Sequence, residues 1–152
     1  MSPYAEGTTV AASKTRAEIE DYLAKRGATR FAFGFMEDRA GISFVRNGLM
    51  IRFTVPTPKE DDKAIRTRAL RLSKSNWRID PAKLAIAIEE ESRRRWRCLL
   101  LAIKAKFTTV ESGIETFEEA FLANIVTTDN MTVYERIKLE DSGVRLLEAV
   151  KE

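Results

Sequence analysis

Hydrophobic and polar residues alternate with two different periods along this chain, and the change of period divides it into elements. Over residues 30–36 phenylalanine returns at every second position, which puts Phe31, Phe33 and Phe35 on one face of an extended strand. Residues 41–46 place Ile42 and Phe44 on one face in the same way. Residues 49–55 add Leu49, Ile51, Phe53 and Val55, with Arg52 and Thr54 turned to the other side. Asn47-Gly48 joins the last two strands, and both positions tolerate the positive φ of a tight hairpin. Pro56 and Pro58 end the third strand. An antiparallel meander with one apolar face needs a cover, so helices are predicted on one side of it.

Elsewhere the period is helical. Thr15 and Glu18 have capping-box spacing, Ile19, Tyr22 and Leu23 share a face, and Gly27 is a natural stop. A first helix is therefore predicted from Ser13 or Thr15, after a flexible arm at residues 1–12. Residues 59–80 form a basic connection. Within it, residues 61–72 either make a short helix with Ile65, Ala69 and Leu72 inward, or stay mobile until a ligand arrives. Asp80 as N-cap and Pro81 in the first turn open a long helix over residues 82–110. Its apolar stripe is Ala85, Ile88, Trp96, Leu99, Ile103, Phe107 and Val110, and Ser112-Gly113 ends it. Capping-box spacing recurs at Thr116/Glu119 and Thr132/Glu135, ahead of helices at 116–126 and 133–139, and residues 144–150 can add a last one. The predicted class is α+β, a single domain over residues 13–152. Its parts are an N-terminal helix, a three-stranded antiparallel meander, a long central helix and shorter C-terminal helices. At ~1.5 Å per residue the long helix extends ~40 Å, more than a three-stranded sheet needs as cover, which points to a homo-oligomer.

Composition narrows the chemistry. A chain of 152 residues buries enough surface to fold without a disulfide, and its single cysteine, Cys98, forms none internally. A reducing, cytoplasmic setting is expected. No apolar run approaches the ~18 residues that span a membrane, so no membrane partner is expected. There is no histidine, which excludes Ser-His-Asp triads, Cys-His pairs and histidine metal ligands. No cofactor is called for. Cys98 lies beside Arg94 on a helical wheel, without the histidine a catalytic thiol ordinarily uses. Sequence neighbours such as Glu118-Glu119 and Asp61-Asp62 point to different sides of a helix and make no acid/base dyad.

Charge is unevenly spread. Residues 63–78 and 93–106 each hold six bases and no acid, whereas residues 110–152 hold ten acids against four bases. A basic middle attracts nucleic acid, nucleotides or acidic protein, or pairs with the acidic end of its own or a second copy. The densest stretch is Arg93-Arg94-Arg95-Trp96-Arg97, following Glu89-Glu90-Glu91. On a helical wheel Arg93, Arg97 and Lys104 fall within about 40° of one another beside Trp96. That row can neutralise phosphates while Trp96 stacks on a base. It can equally be structural, because Glu89–Arg93, Glu90–Arg94 and Glu91–Arg95 are i,i+4 pairs in the favourable order. A second candidate set is Arg66, Arg71, Trp77 and Arg78, accompanied by Arg68 and Lys74, where cations interleave with an aromatic as on nucleic-acid surfaces. Arg52, on the open face of the third strand, can receive a ligand or pair with a carboxylate from another element.

The segments Arg93-Arg94-Arg95-Trp96-Arg97 through Lys104-Ala105-Lys106, Val110-Glu111-Ser112-Gly113 and Phe117-Glu118-Glu119-Ala120-Phe121-Leu122 resemble small bacteriophage and prophage proteins, as does Gly27-Ala28-Thr29-Arg30-Phe31 with the strand ending at Pro56. The resemblance spans most of residues 14–126. That family has no established activity, so the resemblance implies a phage setting, in a host cytoplasm, and no site residue. The function expected first is non-enzymatic capture of a phosphate-bearing nucleotide, sequestering a host immune signal. A nucleic-acid-binding accessory protein of phage replication or recombination is the alternative. So is a protein–protein inhibitor of a host defence factor that presents the acidic C-terminal third.

Overall fold

The computed structural model describes residues 3–139 and 142–145, with side chains from residue 12 onward. The fold is α+β. Helix α1 (Pro3–Ala24) precedes strands β1 (Thr29–Phe35), β2 (Arg39–Arg46) and β3 (Leu49–Pro56). Then come α2 (Lys63–Leu72), α3 (Pro81–Glu111), α4 (Phe117–Phe121), a 3-10 turn (Leu122–Asn124) and α5 (Val133–Lys138).

The sheet is an antiparallel meander in the order β1-β2-β3. Asn47 and Gly48 both take positive φ, 52° and 74°, as a two-residue hairpin requires. Ala40, Ile42 and Phe44 of β2 and Ile51, Phe53 and Val55 of β3 are buried on one face. That face meets α1, α4 and the C-terminal half of α3 in one core. Aromatic rings dominate it: Phe121 meets Phe44 and Phe53 edge-on, 6.4 and 6.1 Å between centroids, and packs 5.1 Å from Phe107. Helix α1 runs in the same direction as α3, since Glu18 pairs with Arg97 at 3.9 Å and Arg26 with Glu111 at 3.0 Å.

The N-terminal half of α3 serves a second core. Ile65 and Ala69 of α2 pack on Ala87 and Ile88, with Leu72, Ile79 and Leu84 at the margin. The length of α3 that pointed to a second copy is thus occupied by α2 of the same chain. The connection at 59–80 is accordingly an ordered helix and turn, not a mobile tract. Asp80 caps α3 by accepting from the Ala82 amide at 3.0 Å, and Thr116 and Glu119 form the expected reciprocal capping box.

Three expectations are revised. Helix α1 begins at Pro3, so residues 3–12 are helical rather than an arm, and Thr15 lies mid-helix and buried instead of capping. Pro3 suits a first turn and the alanines favour helix. The helix expected over 116–126 stops early because Ile125 bridges Ile51 and the Val126 amide donates to the Met50 carbonyl at 2.8 Å. Pairing with the edge of β3 overrides the local helical pattern there. The helix expected at 144–150 lies outside the described residues beyond Arg145.

One ionic junction ties the two cores together. Arg95 donates to Glu91 Oε1 at 2.9 Å, to the Pro56 carbonyl at the end of β3 at 2.9 Å, and to Asp62 Oδ2 at the start of α2 at 3.3 Å. Glu91, only 16% exposed, also accepts two hydrogen bonds from Arg94, at 2.9 and 2.6 Å. Hydrogen bonds from Arg94 and then Arg95, against the opposing cost of burial, hold the Glu91 carboxyl down to about 2 from an ordinary 4.5. A carboxylate depressed in the folded state stabilises fully above its unfolded value and loses that contribution as pH falls through the folded one. Glu91→Gln is therefore expected to cost on the order of 2 kcal/mol at pH 7, with the cost shrinking between pH 4.5 and 2. Urea unfolding of both proteins across that range measures it.

Candidate functional site

The arginine-rich turn of α3 is spent on structure. Arg93 pairs with Glu89, Arg94 and Arg95 with Glu91, and Arg97 approaches Glu18. Lys104 lies over the Tyr22 ring, 5.6 Å from its centroid. Trp96 is 3% exposed within the main core and offers no face to a ligand. The recesses over the open sheet face, between α2 and α3 and beside the α2–α3 turn are lined by other residues than Arg93, Trp96, Arg97 and Lys104. In the row that the helical wheel assembled, the apolar neighbour turns inward, Arg93 and Arg97 meet acids one turn away and on α1, and Lys104 meets a ring.

Arg52 does project from the open sheet face, but its guanidinium is held by the loop before α5. It donates to the Asn130 carbonyl at 3.0 Å and to Asn130 Oδ1 at 2.5 Å. The expected partner was a carboxylate; an amide and a carbonyl take its place. A recess of about 500 Å³ lies over this face, floored by small side chains such as Ala32, Gly41 and Ser43.

The second basic set stands differently. On the wheel Lys63 and Arg71 lie opposite the buried Ile65 and Ala69, with Arg66 on one flank and Arg68 on the other, and all four are exposed. Arg68 alone turns toward α3, where its guanidinium donates to both oxygens of Glu90 at 3.0 and 3.3 Å and lowers that carboxyl below its usual range. This clamp leaves the remaining cations facing outward. Arg66, Arg71, Lys74 and Arg78 are exposed and have no ion-pair partner among the described residues.

The turn between α2 and α3 is built with care. Its first residues close α2 as a Schellman motif: the Ser75 amide reaches the Leu70 carbonyl at 3.2 Å and the Lys74 amide the Arg71 carbonyl at 3.2 Å. Lys74 takes φ 52° at the position where glycine is commonest. Ser73 Oγ accepts from the Asp80 amide at 3.0 Å, and Ser75 Oγ accepts from the Trp77 and Arg78 amides at 3.3 and 3.0 Å. Trp77 projects from this hydrogen-bonded frame, 84% exposed. A recess of about 480 Å³ beside it is lined by Ser73, Ser75, Trp77, Arg78, Asp80 and Pro81. A second, of about 310 Å³, lies against Arg71, Lys74 and Asn76.

Of the predicted site residues, the fold therefore gathers Arg66, Arg71, Trp77 and Arg78 on one hairpin and disperses Arg93, Trp96, Arg97, Lys104 and Arg52 into structural contacts. Lys63 and Lys74 join the hairpin set; their signal was the acid-free run at 63–78. No family model matches the chain, and no curated protein or solved structure matches it significantly.

The two tryptophans make this partition measurable. Iodide is expected to quench the Trp77 emission and leave Trp96 untouched, so Trp77→Phe should retain a single blue-shifted, unquenched component. By contrast Trp96→Ala should destabilise the fold by about 3–5 kcal/mol in urea unfolding, as loss of a core aromatic does.

Proposed function

We propose that the protein is a non-enzymatic nucleic-acid-binding accessory protein whose α2–α3 hairpin grips a single strand. The observation that carries this reading is Trp77, exposed on a hydrogen-bonded turn between Lys74 and Arg78, in a tract whose outward cations have no acidic partner. An exposed aromatic stacks on any unpaired base, and the cations around it neutralise the backbone on either side. The recesses beside it are open rather than enclosed, which suits a strand that passes through. Retaining Lys74 in a left-handed conformation, at a cost of roughly 1 kcal/mol, supports selection for a cation at that point over stability. The phage setting implied by the resemblance fits a role in replication or recombination.

Capture of one phosphate-bearing nucleotide is the second reading, favoured by the size of the 480 Å³ recess and its serine hydroxyls. Asp80 in the same lining opposes a phosphate, and nothing among the described residues closes the recess from above.

Fluorescence anisotropy with a labelled single-stranded oligonucleotide, set against single nucleotides, tests both. Four cations at the phosphates predict a slope of log affinity against log salt of about −3, at ~0.7 per phosphate contact. Trp77→Ala should lose about 1–3 kcal/mol of binding. Lys74→Gly should weaken binding, lower the salt slope by ~0.7, and raise stability by about 0.5–1 kcal/mol. Saturable binding of a single nucleotide, with no gain from longer strands, would instead support capture.

A further inference from the structure

The two edges of the sheet are treated differently. The outer edge of β3 is covered by its own chain: Ile125 bridges Ile51, the Val126 amide reaches the Met50 carbonyl at 2.8 Å, and Asn124 Nδ2 donates to the Arg52 carbonyl at 3.1 Å. The outer edge of β1 pairs with no described element. Residues 31–36, Phe-Ala-Phe-Gly-Phe-Met, contain no charge and no proline, two of the devices that blunt an exposed edge, and the strand's one register irregularity lies at its start, between Thr29 and Ala32. Phe35 is 53% exposed and Met36 65% exposed. Phe33 is only half-covered, with the Arg16 guanidinium 4.8 Å from its ring centre.

We infer that β1 is a homodimer interface, pairing antiparallel with β1 of a second copy to make one six-stranded sheet. Three features of the strand favour its own copy as the occupant. The Met36 amide donates to the Arg39 carbonyl across the hairpin, so alternation turns the backbone groups of Phe35 and Phe33 to the free edge, ahead of a register irregularity between Thr29 and Ala32. A two-fold axis at Phe33 then sets Phe33 against its equivalent, where the two exchange both backbone hydrogen bonds, and brings Phe31 beside the partner's Phe35. The side-chain pattern is symmetric about that axis, with aromatic rings at 31, 33 and 35 and small residues at 32 and 34. Finally, β1 carries a basic residue, Arg30, at its second position and leads into Glu37 and Asp38, so antiparallel pairing brings base against acid at both ends. Arg30 and Glu37 have no ion-pair partner among the described residues, and Asp38 reaches only its neighbour Arg39, at 3.9 Å.

This inference is independent of what the hairpin binds. Sedimentation equilibrium or native mass spectrometry of the full chain is expected to show a dimer at micromolar concentration. Phe35→Lys, at an exposed position at the end of the strand, should raise the dimer dissociation constant at least ~10-fold, with the circular dichroism spectrum and melting temperature kept. Arg30→Glu sets acid against acid and should weaken the dimer by ~5–10-fold, and adding Glu37→Lys and Asp38→Lys should restore it. A monomer at all accessible concentrations overturns the proposal, as does a dimer indifferent to both Phe35→Lys and the charge reversal. A monomer that dimerises only after removal of residues 140–152 also overturns it, because the chain's own end would then be the occupant of the edge.

Discussion

Everything in this structure depends on one helix belonging to two cores. The C-terminal half of α3 lies against the sheet and α1, its N-terminal half against α2, and Arg95 sits where the two halves meet. From that turn a single guanidinium reaches the last residue of β3, the residue before α2 and a glutamate of its own helix. Its planar fork can serve three acceptors in three directions; an ammonium on a flexible stem would not hold that geometry. Without it the Pro56–Asp62 connection would lose its direct tie to α3, and α2 would be held there by its apolar contacts and the Arg68–Glu90 pair alone.

The same economy explains why the most cationic stretch of the chain is not the best candidate site. Arginines at 93–97 are adjacent to glutamates at 89–91, and a helix brings such neighbours together one turn apart. The pairs at Arg93 and Arg94 are largely exposed and contribute little each, but they absorb the positive potential locally. On α2 only Arg68 pairs with an acid among the described residues, and that acid is Glu90. Field strength at a surface follows the charge left over after pairing, not the density of arginine in the sequence. By that measure the hairpin, with Lys63, Arg66, Arg71, Lys74 and Arg78, is the cationic end of the molecule.

Much of the fold was legible because its signals are local. The period-two phenylalanines, Asn47-Gly48, Asp80-Pro81 and the Thr116/Glu119 box each act within a few residues, and each lies where it was expected. What stayed hidden was decided by partners far away in sequence. The stop at Phe121 depends on Ile125 finding β3. The site was legible in part for the same reason: an acid-free run is visible in the sequence, but whether Arg93 or Arg71 stays unpaired depends on what packs beside it. Trp77 and Trp96 show this most directly. Both stand among arginines, but Trp96 lies on the core-facing stripe of α3 and Trp77 on the turn between two helices, and that placement separates a buried ring from an exposed one.

The proposed edge pairing and the proposed strand-binding hairpin draw on different parts of the chain, and this bears on how they would work together. β1 contributes its free edge without using any residue of α2 or the turn, so a dimer through β1 carries two complete hairpins. A single hairpin with one stacking ring and a few phosphate contacts is a modest binder, and its affinity falls steeply with salt. Two hairpins on one rigid six-stranded sheet convert the second contact into an intramolecular event, and effective concentrations in the millimolar range multiply affinity without a new contact. The benefit exists only for a ligand long enough to reach both hairpins. A lone nucleotide gains nothing from it, so dimerisation at β1 would itself select for strands over monomers of the same chemistry.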